Sequence, residues 1–277
     1  VVPNSGYPLA KLVFERSIPG TISSSFLHTF AADFMILALD IGNTRWKMGL
    51  FDGDTLVSHQ AVTSWTTELL VAFGNQHNVH SVIYASVTNL PDHFDEILGH
   101  SFSTLELTHG TPLPFVNQYT TPHTLGKDRL AAIAGAQALY PHKNCLVIDS
   151  GTCIKYDLIT ASGVYMGGNI SPGLNMRSKA MHVFTARLPE VTQHWPSHFI
   201  GWNTETALQN GAFLGTLLEM NGFIKLFDSE YHPLMVTVTG GDAKNIFDRI
   251  QHPEKVHEPN LTLYGLNHIL THQLQAS

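Results

Sequence analysis

Between residues 35 and 62 the apolar positions fall into three short runs separated by tight polar turns. Residues 35–39, 45–51 and 55–62 read as strands, with turns at Gly42-Asn43 and Asp52-Gly53-Asp54. Turns that short join antiparallel neighbours. The period then lengthens. Residues 65–73 read as a helix, with Ser64 or Thr66 placed to cap it. A strand at 81–87, a helix at 91–98 opened by Pro91, and a strand at 102–107 follow.

The order restarts further on. Residues 145–149, 153–159 and 164–170 again read as three short strands, followed by helices at 174–184 and 204–227, a strand at 234–239, and helices at 243–250 and 266–274. A helix at 128–140 lies between the two series and is placed to form the floor of a cleft. Three antiparallel strands followed by alternating helices and strands make a ribonuclease-H-like half. The fold class expected is therefore α/β, with two ribonuclease-H-like domains at 35–143 and 144–277 facing each other across a cleft. Residues 1–34 show no clear period and are broken by Ser23-Ser24-Ser25. They lack the charged start, apolar run and small-residue cleavage site of a signal peptide. The reading places the native start at Met35 and treats 1–34 as an extension, with a short amphipathic helix over 26–34 as the alternative.

Composition narrows the partners. The chain has 277 residues, 43% hydrophobic and 13% charged, enough apolar material for one large domain or two of ordinary size. A net charge of −7 argues against nucleic acid or an anionic membrane as the main partner. No run approaches the roughly 18 apolar residues of a membrane span. Cys145 and Cys153 both sit in strand-like runs and read as free thiols of a reducing, cytoplasmic protein. The 17 histidines include no HExxH and no Cys/His ladder, and Pro196 separates His194 from His198, so they read as surface residues.

Two near-repeated phrases carry the chemistry. Asp40-Ile41-Gly42-Asn43-Thr44 ends the first strand of one half, and Asp149-Ser150-Gly151-Thr152 ends the first strand of the other. An aspartate at a strand end can hold hydrated Mg²⁺, which takes only one or two carboxylates beside substrate phosphates. A following glycine lets backbone N–H groups approach a phosphate, and a threonine hydroxyl can join them. Two such turns facing one another would clamp a polyphosphate; taken singly, each is equally an ordinary hairpin turn. Arg45 and Lys47 alternate with Trp46 and Met48, so one of these cations can face the cleft. In Gly126-Lys127-Asp128-Arg129, Asp128 reads either as a base for an attacking hydroxyl or as a helix N-cap, and Arg129 as a fork for a carboxylate or a surface residue. The glycine-rich strings at 167–173 and 240–242 are weak alone, and there is no GxxxxGK[ST] phosphate loop.

Taken in order, DIGNT, Tyr119 with Pro122 and GKDR, DSGT, GGNISPG, Thr185-Ala186-Arg187-Leu188-Pro189 and TGGD resemble bacterial type III pantothenate kinase. That family belongs to the superfamily of acetate and sugar kinases, actin and the heat-shock chaperone ATPases, and the resemblance runs from about Met35 to near the C-terminus. It implies an actin-like ATPase fold and ATP-dependent phosphorylation of pantothenate, the first step of coenzyme A synthesis. It further implies that Asp40, Ile41, Gly42, Asn43, Thr44, Arg45, Trp46 and Lys47 form the ATP-phosphate motif and that Thr152 is a second ATP contact. Asp149 is implied as ligand of a monovalent cation, potassium or ammonium. Asp128 is implied as proton acceptor for the primary hydroxyl. Tyr119, Gly126, Lys127, Asp128 and Arg129 are implied to line the pantothenate pocket, with Thr185 delivered across a homodimer interface.

Cys153 and Lys155 depart from the small or hydroxyl residues common after DSGT. Lys155 either adds charge near the phosphates or points outward along its strand. Rival readings are another small-molecule kinase of the superfamily and a non-catalytic, nucleotide-binding accessory regulator of the same fold. The kinase reading requires Asp40, Asp128 and Asp149 to converge on one crevice.

Overall fold

The structure, a computed structural model, describes residues 35–43, 45–192 and 194–276. The expected extension at 1–34, the alternative helix within it, and Thr44 lie outside the described residues.

The first sheet consists of β1 (Met35–Ile41), β2 (Trp46–Asp52), β3 (Thr55–Val62), β4 (Val79–Ser86) and β5 (Ser103–Glu106), in the order β3-β2-β1-β4-β5. The first three are antiparallel hairpin partners, whereas β4 and β5 continue parallel to β1. The crossovers are α1 (Thr67–Gln76) and α2 (Phe94–Ser101). Thr66 caps α1, its hydroxyl accepting from the Leu69 amide. The second sheet consists of β6 (Val116–Asn117), β7 (Asn144–Ser150), β8 (Cys153–Ile159), β9 (Val164–Pro172), β10 (Leu234–Thr239) and β11 (Lys255–His257), ordered β11-β10-β7-β8-β9-β6. Apart from β6 at its edge, it repeats the order and directions of the first sheet. The duplication legible in the pattern is thus a duplication of topology, and the fold is the two-lobed actin-like one.

Alternation along the strands sorts side chains into layers. In β1, Leu37, Leu39 and Ile41 turn outward and are buried with Leu70, Phe73, Phe94 and Leu98 of α1 and α2. Ile36 and Ala38 turn inward. In β7, Leu146 and Ile148 turn outward, towards Met220 and Ile224 of α6 (Gly215–Tyr231), and Cys145 and Val147 turn inward. The two inner faces share one core with α3 (Lys127–Leu139) and α8 (Leu261–Ala276), which lie between them.

Small residues let these two helices touch backbone to backbone. Ala131, Ala132, Ala134, Gly135 and Ala136 give α3 a low profile. A Cβ on Gly135 would lie 2.1 Å from the Leu261 carbonyl oxygen, and one on Gly265 would lie 1.7 Å from that of Ala131. Only glycine fits either place.

Several boundaries differ from expectation. The helix expected at 266–274 begins at Leu261, because its first turn is buried all round and shows no amphipathic period. The helix expected at 204–227 is α5 (Thr204–Gln209), a π-helical turn at Asn210–Leu214, and then α6. The one expected at 91–98 starts at Phe94, after His93 in a left-handed conformation (φ 58°). That expected at 243–250 is the single turn α7 (Ala243–Ile246) followed by a 3₁₀ turn. α4 (Leu174–Val183) agrees closely. β6 and β11, two and three residues long, are too short to show a period. Cys145 is buried as expected, whereas Cys153 is only partly covered. Among the described residues no helix is long and apolar enough to cross a membrane.

Candidate active site

Asp40 and Asp149 occupy matching places in the two sheets. Each follows the inward series of its strand, two residues beyond Ala38 and Val147, so each sits at the inner face where the lobes meet. Each is paired across an antiparallel neighbour with a lysine: Asp40 with Lys47 of β2, and Asp149 with Lys155 of β8. The matching lysines behave differently. Lys47 Nζ donates to the Pro259 carbonyl at 3.1 Å. Lys155 Nζ donates to Asp149 Oδ2 at 2.8 Å and also to Asp128 Oδ2 at 2.6 Å.

Asp128 is the second residue of α3, in the first turn at the helix's positive end. It is not the N-cap; that position is Gly126, where a Cβ would fall 2.4 Å from Asp128 Oδ1. Asp128 Oδ1 accepts from the Arg129 amide at 2.9 Å, which leaves Oδ2 to Lys155. One ammonium thus ties the N-terminus of α3 to the end of β7.

Asp40 closes the group. Its Oδ2 accepts from Thr262 Oγ1 of α8 at 2.7 Å. Burial pushes its carboxyl pKa up; Lys47 and the Thr262 hydroxyl pull it back, and the charges of Asp128 and Asp149 add to the rise. The three acids therefore stand within electrostatic reach of one another, as the kinase reading requires. Lys155 is desolvated, but the two carboxylates more than offset that and hold its pKa above the ordinary lysine value.

Backbone surrounds the acids closely. Gly240, at φ +97°, follows β10; a Cβ there would lie 2.5 Å from Asp149 Oδ1 and 2.3 Å from the Ser150 carbonyl. Gly173 presses on the 151–152 turn in the same way, its amide donating to the Thr152 carbonyl at 3.0 Å. Gly151 and Gly241 have open space where a Cβ would be.

A family model described as type III pantothenate kinase matches residues 36–226. The chain belongs to that family. A type III pantothenate kinase of Christiangramia forsetii is 41% identical over 240 residues, 85% of this chain and 98% of its own length. One of Phocaeicola vulgatus is 40% identical over 239 residues, 86% of this chain and 98% of its own. Among solved structures, a conserved putative Baf family transcriptional activator from Campylobacter jejuni aligns with a TM-score of 0.53 at 20% identity. It covers 86% of this chain and 99% of that one, and the likeness is one of fold.

The remaining residues expected to serve a type III pantothenate kinase site divide by environment. Ile41 and Trp46 are buried in the outer core, so they can offer a phosphate only their backbone. The Gly42 amide donates to the Arg45 carbonyl at 3.1 Å, closing the turn, and Asn43 and Arg45 are exposed on it. Thr152 is exposed on the facing turn. Lys127 Nζ is paired with Glu106 at 2.6 Å. Arg129 is 5% exposed and donates from Nε and Nη2 to Asp157 and from Nη2 to the Tyr165 hydroxyl. The Tyr119 ring lies beneath its guanidinium at 5.3 Å and stacks on Tyr165. Arg129 is therefore neither a surface residue nor a free fork. Thr185 lies apart, on an exposed turn after α4, with its hydroxyl donating to the Met181 carbonyl at 2.7 Å.

Sequence reading passed over Asp157, Tyr165, Thr262 and Glu106. Lys155 and Asp157 stand two apart on one strand and so share the inner face, a signal that strand parity offered. Nothing local marked Thr262, which reaches Asp40 from 222 positions away.

Proposed function

We propose that this protein transfers the γ-phosphoryl group of ATP to the primary hydroxyl of pantothenate, the first step of coenzyme A synthesis. The observation that carries the reading is the meeting of Asp40, Asp128 and Asp149 at the end of β1, the start of α3 and the end of β7, in a chain of this family.

Asp128 accepts the hydroxyl proton while the substrate oxygen bonds to phosphorus and the β,γ-bridging oxygen leaves with ADP. Its fixed Oδ1 and the helix N-terminus orient it for that transfer. The turns that follow β1 and β7 flank the phosphates, and the exposed Thr152 hydroxyl is offered to them. Catalysis of this kind rests on positioning and charge rather than covalent work by the protein.

Magnesium fits. Asp40 is a desolvated carboxylate whose lysine is directed elsewhere, and a hydrated divalent ion needs little more than one such group beside phosphates. Bound there, it would neutralise the β- and γ-phosphates. A free monovalent cation does not fit at Asp149, whose Oδ2 already carries an ammonium.

Arg129, fixed on Asp157, supports the pantothenate pocket by holding Tyr119 in place; Gly126 and Lys127 stand beside it. A homodimer is supported by the apolar surface around Thr185. Phe184, next to Thr185, is 85% exposed, and before α5 the exposed rings of Phe199 and Trp202 both pack on His198; exposed aromatic rings of this kind mark interaction surfaces. A coupled assay with pantothenate, ATP and Mg²⁺ tests the function: ADP release that depends on pantothenate supports it, and ADP release without pantothenate, or none at all, rejects it.

A further inference from the structure

We infer that the Lys155 ammonium is itself the cation of this site, a tethered counter-ion to Asp149 and Asp128 that makes phosphoryl transfer independent of potassium or ammonium. The inference rests on the proposed kinase reaction and adds to it which charge completes the phosphate end of the cleft.

Geometry carries it. Strand register sets Lys155 directly opposite Asp149, and parity turns both to the inner face. Nζ lies 2.8 Å from Asp149 Oδ2 and 2.6 Å from Asp128 Oδ2, and all three side chains are three-quarters buried or close to it, at 22%, 20% and 26% exposure. Among the described residues these two are the only side-chain hydrogen bonds of Lys155. An ammonium has three donors. Two are spent on carboxylates, and one remains for a phosphoryl oxygen.

A free potassium ion on Asp149 Oδ2 would have to share that oxygen with a like charge. The unit positive charge it would bring is already present, and it does not depend on the concentration of any ion. The other lobe provides a contrast. Lys47 holds the matching place, but its ammonium donates to the Pro259 carbonyl and acts on Asp40 only through its charge, so the Asp40 carboxylate carries no bonded side-chain ammonium. One lobe thus supplies its positive charge covalently, and the other takes it up with the nucleotide. Lys155 in this scheme both meets a phosphoryl oxygen and fixes the carboxylate that receives the proton.

The test compares wild type with Lys155→Thr in potassium, ammonium, sodium and choline chlorides at equal ionic strength. Initial rates and MgATP affinity by calorimetry are both read. Wild type is expected to vary less than twofold across the salts in both. Lys155→Thr is expected to lose at least tenfold in rate and in MgATP affinity in choline, and to regain most of both in potassium or ammonium but not in choline. Such cation-specific rescue is something a merely structural lysine would not give. A wild-type rate that rises tenfold with potassium over choline overturns the inference. So does a folded Lys155→Thr that matches wild type in choline, or one that potassium does not restore. If wild type binds MgATP but never turns over pantothenate, the kinase reading fails while the affinity measurements still decide the role of Lys155.

Discussion

Asp157 holds the Arg129 guanidinium in a buried, three-bond embrace, with Nε donating at 3.0 Å to each carboxylate oxygen and Nη2 at 2.5 Å to Oδ1. The pair joins α3 to β8, and Tyr165 of β9 donates to the same carboxylate at 2.7 Å. Burial works against the guanidinium's charge, but Asp157 more than offsets it, whereas burial of the Asp157 carboxyl outweighs the pull of Arg129 and raises its pKa. Removing one partner leaves a buried charge alone. Arg129→Met is expected to cost about 3–5 kcal/mol of stability in urea denaturation. Arg129→Met combined with Asp157→Leu is expected to recover most of that loss. A single variant as stable as wild type would show that the pair contributes nothing.

Asp40 bears on pH dependence. Its carboxyl pKa is raised on folding, so the folded chain binds its proton more tightly than the unfolded chain does. The stability associated with that proton is present below the ordinary carboxylate range and is lost as pH rises through the folded value. At neutral pH Asp40 therefore destabilises the unliganded protein. Asp40→Asn is expected to raise the melting temperature at pH 7.5 by about 2–4 °C, the shift that roughly 1 kcal/mol gives in a chain of comparable size. Near pH 4 the gain should shrink or vanish. MgATP, which stabilises wild type, should no longer do so in the variant. An equal gain at both pH values would contradict the assignment.

Asp128→Asn removes the proposed proton acceptor without changing shape. We expect kcat to fall by about 10²–10⁴, the range general-base catalysis supplies. Circular dichroism should be unchanged. MgATP affinity should stay within a few-fold, since Lys155 keeps Asp149. Near-wild-type turnover would remove Asp128 from the base role.

The exposed rings of Phe184, Phe199 and Trp202 bear on assembly. Phe184→Glu with Trp202→Glu is expected to convert a dimer to a monomer in sedimentation velocity. If Thr185 serves the neighbouring subunit, kcat/KM for pantothenate should fall at least tenfold with it. A dimer undisturbed by both changes would place the interface elsewhere.

Much of this was legible in the residues. Short apolar runs ending on Asp40 and Asp149 located both central strands, because strand ends and hairpin turns are written locally. The restart after residue 144 revealed the duplication for the same reason. What escaped was non-local. Asp157 meets Arg129 from 28 positions away, and Thr262 meets Asp40 from 222. Trp46 and Ile41 sit inside the stretch expected to bind phosphate, yet strand parity sends their side chains into the outer core. The start of α8 was hidden because Leu261, Thr262 and Leu263 are all buried, which leaves its first turn without an amphipathic period.

The placement of α8 sets the order of events during biosynthesis. Residues 261–276 cover the inner face of a sheet made from residues 35–106, crossing α3 at Gly135 and Gly265 and touching Asp40 through Thr262. The inner face of the first lobe is therefore covered by α3 alone until residues 261–276 have been made and have packed beside it. Nascent polypeptides that stall before that point would expose this face to chaperones, and would lack the hydroxyl partner of Asp40 however well their second sheet had formed.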